Sequence, residues 1–266
     1  DSYIQLRVVL GVGVLFALWW LEAWLPFWHE GTDPSSRRRH AGRNLTITIL
    51  HGTLVSLMFA GATTFTARWA STTGFGLLRW APEMPPALST ALAVVLMDAW
   101  LYMWHRLNHV VPFLWLFHRT HHTDPHMDVT TATRFHPVEI ALSAVIRLGI
   151  IAVIGMDPWQ VIIYSMLHLP VIQFQHSNVA LPERLDRIMR AVLVSPNMHR
   201  VHHSRYQPET DSNYSSILSV WDRIAGTYVR REDPTTIHMG LDRYDEDQWQ
   251  SIAGMLITPI PRRNEG

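Results

Sequence analysis

The chain has 266 residues, no net charge and no cysteine, and all 22 of its basic residues are arginine. The missing cysteines exclude disulfides, iron–sulfur clusters, thiolate-ligated haem and cysteine zinc sites, and the missing lysine excludes Schiff-base chemistry. No basic stripe is interleaved with aromatic residues, so we expect no nucleic-acid partner. The 12 tryptophans are typical of a protein that lies in a membrane, where interfacial belts favour this residue.

Apolar runs in chain order predict an all-α, polytopic membrane helical bundle. A helix crosses a bilayer with about 20 apolar residues, and five runs approach or exceed that length: 8–28, 44–67, 87–104, 140–156 and 158–182. The first contains Glu22 and the third Asp98. The last two are separated only by Asp157-Pro158, which predicts a hairpin of two spans or a partly re-entrant one. We therefore expect about four spans.

Three histidine clusters flank these runs. They are His105-x-x-x-His109, His118-x-x-His121-His122 and His199-x-x-His202-His203. Residues four apart share one face of a helix, whereas adjacent residues diverge by about 100° and can serve different ions. A first-row metal ion accepts at most about six ligands, and a closed zinc site needs only four. Eight converging imidazoles therefore predict a dinuclear centre.

Two further histidines are candidates for the same centre. His176 ends the last apolar run and is the first choice as an additional ligand. His136 is the second, and because Pro137 disfavours helix at the residue before it, we expect it to approach from a loop. Two of the remaining histidines stay open as further candidates, His168 and His51. The others are expected to take no part in the site: His29, His40, His126 and His238.

The polar segments predict one domain over residues 1–266. Residues 8–104 are mostly spans, 105–139 carry the first two clusters, 140–182 form the membrane hairpin, and 183–266 form a C-terminal cap with the third cluster. Arginines at 37–39 and 43 mark the polar segment 30–43 as cytoplasmic by the positive-inside rule. This places all three clusters in a cytoplasmic helical cap. Arginine used without lysine indicates a GC-rich bacterial genome, and so a bacterial inner membrane.

The text around the histidines resembles the fatty acid hydroxylase and sterol desaturase superfamily of integral-membrane di-iron oxygenases. The likeness runs from about Asp98 to Tyr228, roughly half the chain. Beyond the three clusters it includes the segments Thr133-Arg134-Phe135-His136-Pro137, Phe174-Gln175-His176-Ser177-Asn178, Asn213-Tyr214 and Trp221-Asp222.

The resemblance implies a non-haem centre of two iron ions, with zinc able to take their place, and O2 as co-substrate. The product is a hydroxylated or a desaturated lipid. The chain has no flavin fingerprint, cysteine cluster or haem module, so a separate ferredoxin, cytochrome or reductase must supply electrons. Three residues between the histidines of the first cluster favour sterols or other polycyclic or ether lipids over fatty acyl chains.

Two other function classes stay open at this point. A membrane metal transporter or sensor would use the histidines as a transit site, but its ligands belong near the bilayer midplane. A metal-dependent lipid hydrolase would use a bound water.

Four polar residues are candidates for orienting the imidazoles by hydrogen bonds. Asp98 lies two helical turns before His105 on the same face, and its alternative role is a structural bond to backbone or arginine. Glu139, Asn213 and Asp222 have the same candidate role, and the alternative for each is an ordinary cap or turn.

Overall fold

The computed structural model describes residues 2–29, 33–59 and 61–260. Within these ranges the chain is helical, with isolated bridges in place of strands. The thirteen α-helices are α1 (Ser2–Trp24), α2 (Pro34–Phe59), α3 (Ala62–Thr73), α4 (Leu77–Trp80), α5 (Pro86–Val110), α6 (Pro112–His122), α7 (Pro137–Ile154), α8 (Pro158–His176), α9 (Glu183–Arg190), α10 (Pro196–His202), α11 (Gln207–Thr210), α12 (Val220–Ala225) and α13 (Ile252–Ile257). Short 3₁₀ turns cover Val129–Thr133, Pro234–Thr236 and Asp247–Gln250. The all-α prediction is confirmed.

Prolines and capping side chains define where the central helices begin. Helices α5, α6, α7, α8 and α10 all carry proline in the first turn, where the missing N–H costs nothing. Asp157 caps α8 and forms a reciprocal capping box with Gln160. Gly155 ends α7 in the left-handed conformation, with φ of 78°. The predicted hairpin therefore turns at Gly155 to Asp157, where glycine, cap and proline follow one another.

Fewer helices qualify as membrane spans than the five apolar runs predict. Helices α5 and α7 are long and apolar enough to cross a membrane, and a third span results if residues 34–80 are counted as one bent pair. Residues 8–24 form a shorter apolar helix. Helix α8 contains Gln160, Gln173 and Gln175, and these polar residues lower its mean hydropathy. The predicted polar segment 30–43 is helical from Pro34 onwards, while residues 30–32 lie outside the described part.

The helices pack so that α5, α7 and α8 form the centre of the bundle. Helix α1 packs along α8, while α2 and α3 pack against α7. The main core contains Met97 of α5, Ile151 of α7, Tyr164 of α8 and, from the C-terminal region, Ile217. The C-terminal region is thus partly inserted between the long helices rather than simply resting on their ends.

Asp98 attaches this C-terminal segment to the middle of α5. Its carboxylate accepts hydrogen bonds from the backbone N–H of Ile217 at 2.9 Å and of Leu218 at 3.0 Å, and from Trp221 Nε1 at 2.7 Å. The side chain is fully buried. Of the two roles considered for Asp98, the structure gives it the structural one, because its recorded partners are backbone and tryptophan groups.

Candidate metal centre

Nine histidines from four helices gather at one end of the bundle in two adjacent groups. In each group, one ring nitrogen per residue lies within 4.8 Å of all the others. We call them the five-histidine group (His105, His109, His118, His122 and His202) and the four-histidine group (His121, His176, His199 and His203). Helix α5 supplies two rings, α6 three, α8 one, and α10 with its C-terminal cap the other three.

Helical geometry explains how each cluster is divided. His118 and His122 lie four apart on α6 and enter the same group, while His121 points to the other one. His202 and His203 are adjacent in sequence and likewise separate, with ring planes at 88°. The offset of about 100° per residue thus places the two groups side by side.

Four of the five rings in the five-histidine group have an outer contact through Nδ1; the exception among the described residues is His122. Glu139 Oε1 lies 2.8 Å from His118 Nδ1, and the Tyr214 carbonyl oxygen 2.9 Å from His105 Nδ1. His202 Nδ1 donates to the Ser212 carbonyl at 2.7 Å, and His109 Nδ1 lies 3.4 Å from Asp211. An Nδ1–H donated outwards leaves Nε2 without a proton, which is the state needed for a metal ligand.

Backbone carbonyls hold two rings of the four-histidine group. His121 Nδ1 donates to the Arg134 carbonyl at 3.2 Å, and His176 Nδ1 donates to the Ile172 carbonyl at 2.7 Å. Phe135 stacks on the His121 ring with centroids 4.5 Å apart and planes at 13°. Packing and hydrogen bonds together therefore fix the orientation of His121.

The inward-facing nitrogens have the spacing that a shared metal ion requires. Nε2 of His176 lies 3.1 Å from that of His121 and 3.0 Å from that of His199, and the Nε2 atoms of His118 and His122 are 3.3 Å apart. Two nitrogens bound to one ion at about 2.0–2.1 Å lie roughly 2.9–3.4 Å apart at angles of about 90–109°. The distances fit one ion in each group.

Buried nitrogens without a protein partner support the same conclusion. Nε2 of His109, His202 and His203 is buried and has no hydrogen-bond partner within residues 2–29, 33–59 and 61–260. Leaving such groups unsatisfied is costly, so native structures give them a partner, which here would be a metal ion. Burial lowers the pKa of His202 to about 3, although its hydrogen bond to the Ser212 carbonyl acts in the opposite direction. Burial and nearby imidazoles hold the pKa of His122 well below its usual value. These rings are therefore neutral at pH 7.

Of the ten histidines predicted as ligands, His136 lies outside both groups. It caps the N-terminus of α7, where Nδ1 accepts from the Val138 N–H at 3.1 Å and Nε2 donates to the Leu256 carbonyl at 3.2 Å. Both nitrogens are therefore engaged. The loop approach expected from Pro137 is observed, but it leads to a helix cap. His168 stacks on Tyr164, and His51 Nε2 lies 3.1 Å from the Thr133 carbonyl.

The other polar candidates act at different distances from the rings. Glu139 contacts His118 directly. Asp222 accepts from the Tyr214 and Ser215 N–H groups at 2.8 and 2.9 Å, so it positions the residue whose carbonyl holds His105. Asn213 adopts φ of 51° and donates to the Met198 and Val229 carbonyls, which ties the third cluster to the following chain.

Sequence reasoning missed His40, which was expected to be a bystander. Its Nε2 lies 2.8 Å from Asp124 and its Nδ1 3.0 Å from Asp128, and both carboxylates belong to the segment after the second cluster. Thr131 Oγ1 also donates to Asp124, at 2.7 Å. No local pattern reveals this contact, because it joins positions more than 80 residues apart.

A polar cavity of about 610 Å³ ends at the five-histidine group. His109 and Trp115 both line it, and the Trp115 ring centroid is 5.0 Å from that of His109. Five charged side chains also line it: Arg119, Arg205, Arg243, Asp211 and Asp242. The cavity thus connects a charged surface to the back of a candidate ligand.

Comparison with known proteins identifies the family. Residues 90–227, slightly more than half of the chain, match the fatty acid hydroxylase family, and the chain belongs to it. The matched region contains all nine grouped histidines, the whole of the candidate span α7 and all but the first four residues of the candidate span α5.

Three similar proteins are named for different lipids. An ornithine lipid hydroxylase of Rhizobium tropici is 30% identical over 61% of this chain and 48% of its own length. Human alkylglycerol monooxygenase is 30% identical over 49% of this chain and 28% of its own, and rat cholesterol 25-hydroxylase 26% over 57% and 50%. The chain thus aligns with half or less of each relative. No solved structure gives a significant match.

Proposed function

We propose that this protein is an O2-dependent membrane di-iron oxidoreductase that hydroxylates a lipid C–H bond. The observation that carries the proposal is the pair of histidine groups, each with inward nitrogens at the spacing of one metal ion. Relatives named as lipid hydroxylases and monooxygenases support the reaction type and favour hydroxylation over desaturation.

The residues of the chain hold the two ions and leave room beside them. Iron bound in both groups supplies the capacity to activate O2 and oxidise an unactivated C–H bond. Two ions of up to six ligands offer about twelve positions, of which nine imidazoles fill nine and leave about three. The outward Nδ1 contacts keep each bonded ring in one tautomer, and the burial of the rings excludes bulk water from the site.

The substrate in this proposal is a membrane lipid, either sterol-like or with a fatty-acyl or ether-linked chain. Ornithine lipid, alkylglycerol and cholesterol, the lipids in the relatives' names, form the first panel to test. Exposed apolar side chains on α7, such as Val145 and Val153, place the bundle in contact with the bilayer that holds such lipids.

Electrons come from a separate ferredoxin, cytochrome or reductase in this proposal. The charged cavity that ends at His109 and Trp115 is the proposed approach, since it brings a donor close to a ligand of the five-histidine group. Purified protein with O2 and lipid should therefore stay inactive until a reductase or a chemical reductant is added. Sustained turnover without a donor would instead indicate hydrolysis or isomerisation.

The orientation proposed is that of a bacterial inner-membrane protein with its metal centre facing the cytoplasm. Arginines at 37–39 and 43 on α2 support it through the positive-inside rule. A reporter fused after Gly266 should be active only as a cytoplasmic fusion. A periplasmic signal from that reporter would overturn the orientation.

An isotope experiment tests the reaction. Iron-loaded protein in liposomes receives a reductant, the lipid panel and ¹⁸O2, and mass spectrometry follows each lipid. The expected product is one lipid that gains a single ¹⁸O atom. Incorporation from H2¹⁸O instead of ¹⁸O2 would identify a hydrolase, and metal movement across the liposome without lipid oxidation would identify a transporter.

A further inference from the structure

The exposed face of helix α9 is mixed, with the apolar Leu185 and Ile188 beside charged side chains, namely Glu183, Arg184 and Arg187. Its Asp186 and Arg190 side chains are buried and form an ion pair one turn apart. Its Leu185 and Ile188 point outwards, and Ile188 is 71% exposed. A helix on an aqueous surface buries its apolar stripe and exposes its charges. The outer face of α9, with exposed apolar and charged side chains side by side, therefore suits a membrane interface, where acyl chains and headgroups meet.

Three neighbouring positions extend the apolar part of this face into one surface. The segment after α9 pairs with the segment before α12, because the Ser219 N–H donates to the Val192 carbonyl at 3.0 Å. Arg223 of α12 donates to the Arg190 carbonyl at 2.6 Å. We call the exposed aliphatic side chains brought together in this way the C-terminal ridge: Leu185, Ile188, Val192, Val220 and Ile224.

The ridge lies at the depth of the middle of α5. Residues beside it enter the core of the bundle, where Ile217 packs with Met97 and Ile151, and Asp98 binds the Ile217 and Leu218 N–H groups. Asp98 is roughly 18 Å along α5 from Pro86 at 1.5 Å per residue. That distance is less than the bilayer's hydrocarbon thickness of about 30 Å. With the start of α5 near Pro86 at the membrane surface, the part of the helix at Asp98 lies within the hydrocarbon region of the bilayer.

We propose that the C-terminal ridge is embedded in the lipid leaflet nearest the metal centre, as an interfacial element between the spans and the cap. The partner it fits is the acyl region of the bilayer, and the exposed Arg184 and Arg187 beside it extend towards the headgroups. Continuity with the core around α5 favours lipid over a second copy of the chain. The proposal goes beyond the proposed reaction and holds whichever lipid is oxidised.

The lack of cysteine in the chain allows a direct depth measurement. Single variants Ile188→Cys and Ile224→Cys carry a nitroxide label in full-length, metal-loaded protein reconstituted in liposomes. These positions are 71% and 73% exposed, so labels fit without repacking. Val145→Cys, on the exposed face of α7, is the lipid-facing control, and Tyr206→Cys, 63% exposed in the cap, is the water-facing control.

The readout is the ratio of collision rates with O2, which concentrates in lipid, and with a water-soluble nickel chelate. Labels at Ile188 and Ile224 should give a ratio several-fold above that at Tyr206 and close to that at Val145. A ratio equal to that at Tyr206 would place the ridge in water and overturn the proposal. Labels shielded from both reagents, with spin–spin coupling between chains, would indicate a dimer interface and overturn it as well.

Discussion

The two histidine groups differ in what holds their rings from behind. In the five-histidine group, the carboxylates of Glu139 and Asp211 each contact an Nδ1 atom. In the four-histidine group, the outer acceptors recorded among the described residues are the backbone carbonyls of Arg134 and Ile172. A carboxylate partner raises the basicity of a ligand imidazole more than a neutral carbonyl does. We therefore expect the five-histidine group to bind its ion more tightly.

Removing a ring at the centre of the five-histidine group should have the largest effect. The His202 ring lies 4.5 Å from that of His105 and 4.7 Å from those of His109 and His122. We expect His202→Ala to lose at least one metal ion per chain and all turnover while the protein still inserts. Elemental analysis and a product assay measure both.

The matched control for that variant is His126→Ala. His126 is exposed and belongs to neither group, so its removal should leave metal content and turnover unchanged. Normal metal content and activity in His202→Ala would contradict the assignment of the five-histidine group.

Replacing the carboxylate behind His118 tests the source of the difference between the groups. Glu139→Gln keeps the shape of the side chain but removes its charge, and we expect a loss of about 10–100-fold in metal affinity at the five-histidine group. Competition with a chelator measures that affinity. Glu209→Gln is the control, since Glu209 pairs with Arg231 outside both groups, 2.9 Å away. Equal affinities in the two variants would show that the charge is irrelevant.

Chelation of the wild-type protein should separate the groups in time. The four-histidine group has one ligand fewer, and its recorded outer contacts are carbonyls, so we expect its ion to leave several-fold faster. Metal release should follow two phases of one ion each, and Glu139→Gln should bring the two rates closer together. A single phase that releases both ions would contradict the comparison.

The smallest effect is expected at His40, which acts on the four-histidine group from a distance. His40→Ala leaves two carboxylates without their shared partner, and Asp124 is fully buried. Loss of one partner of such a pair costs about 3 kcal/mol of unfolding free energy. The 3₁₀ turn capped by Asp128 precedes Arg134, whose carbonyl holds His121, so the faster release phase should accelerate by a few-fold.

A lower midpoint of thermal unfolding would measure the cost of His40→Ala, and His238→Ala serves as the exposed control. A change in the slow phase of metal release, with the fast phase unaltered, would contradict the prediction that His40 acts on the four-histidine group.

The sequence predicted most of what helical periodicity determines. His118 with His122, and His199 with His203, share a group because residues four apart share a face. His176 could be chosen because it ends an apolar run. Among the outer contacts, Glu139 could be chosen from sequence. The contacts from Tyr214, Ser212 and Arg134 could not, since these residues act through backbone carbonyls that any residue carries. His136 was misplaced in the two groups because its role as a helix cap depends on tertiary position.

The fold was predictable to a similar extent. The all-α class follows from the apolar runs, and the hairpin at Asp157-Pro158 follows from local turn chemistry. The prediction of about four spans stays a prediction: by length and composition α5 and α7 qualify, whereas the glutamines and histidines of α8 lower the mean hydropathy of that helix. Long-range contacts such as Asp98 with Trp221 leave no periodic signal.

The hydrogen bonds that Asp98 accepts from Ile217, Leu218 and Trp221 also have a consequence during synthesis of the chain. Ribosomes release the N-terminal end first. Helix α5, with His105 and His109, is therefore complete more than 100 residues before the hydrogen-bond partners of Asp98 emerge. Ser212 and Tyr214, which orient His202 and His105, arrive with the same late segment. A nascent chain truncated between His203 and Ser212 therefore carries all nine histidines without the carbonyls that orient His202 and His105. Metal loading should accordingly await completion of the C-terminal segment.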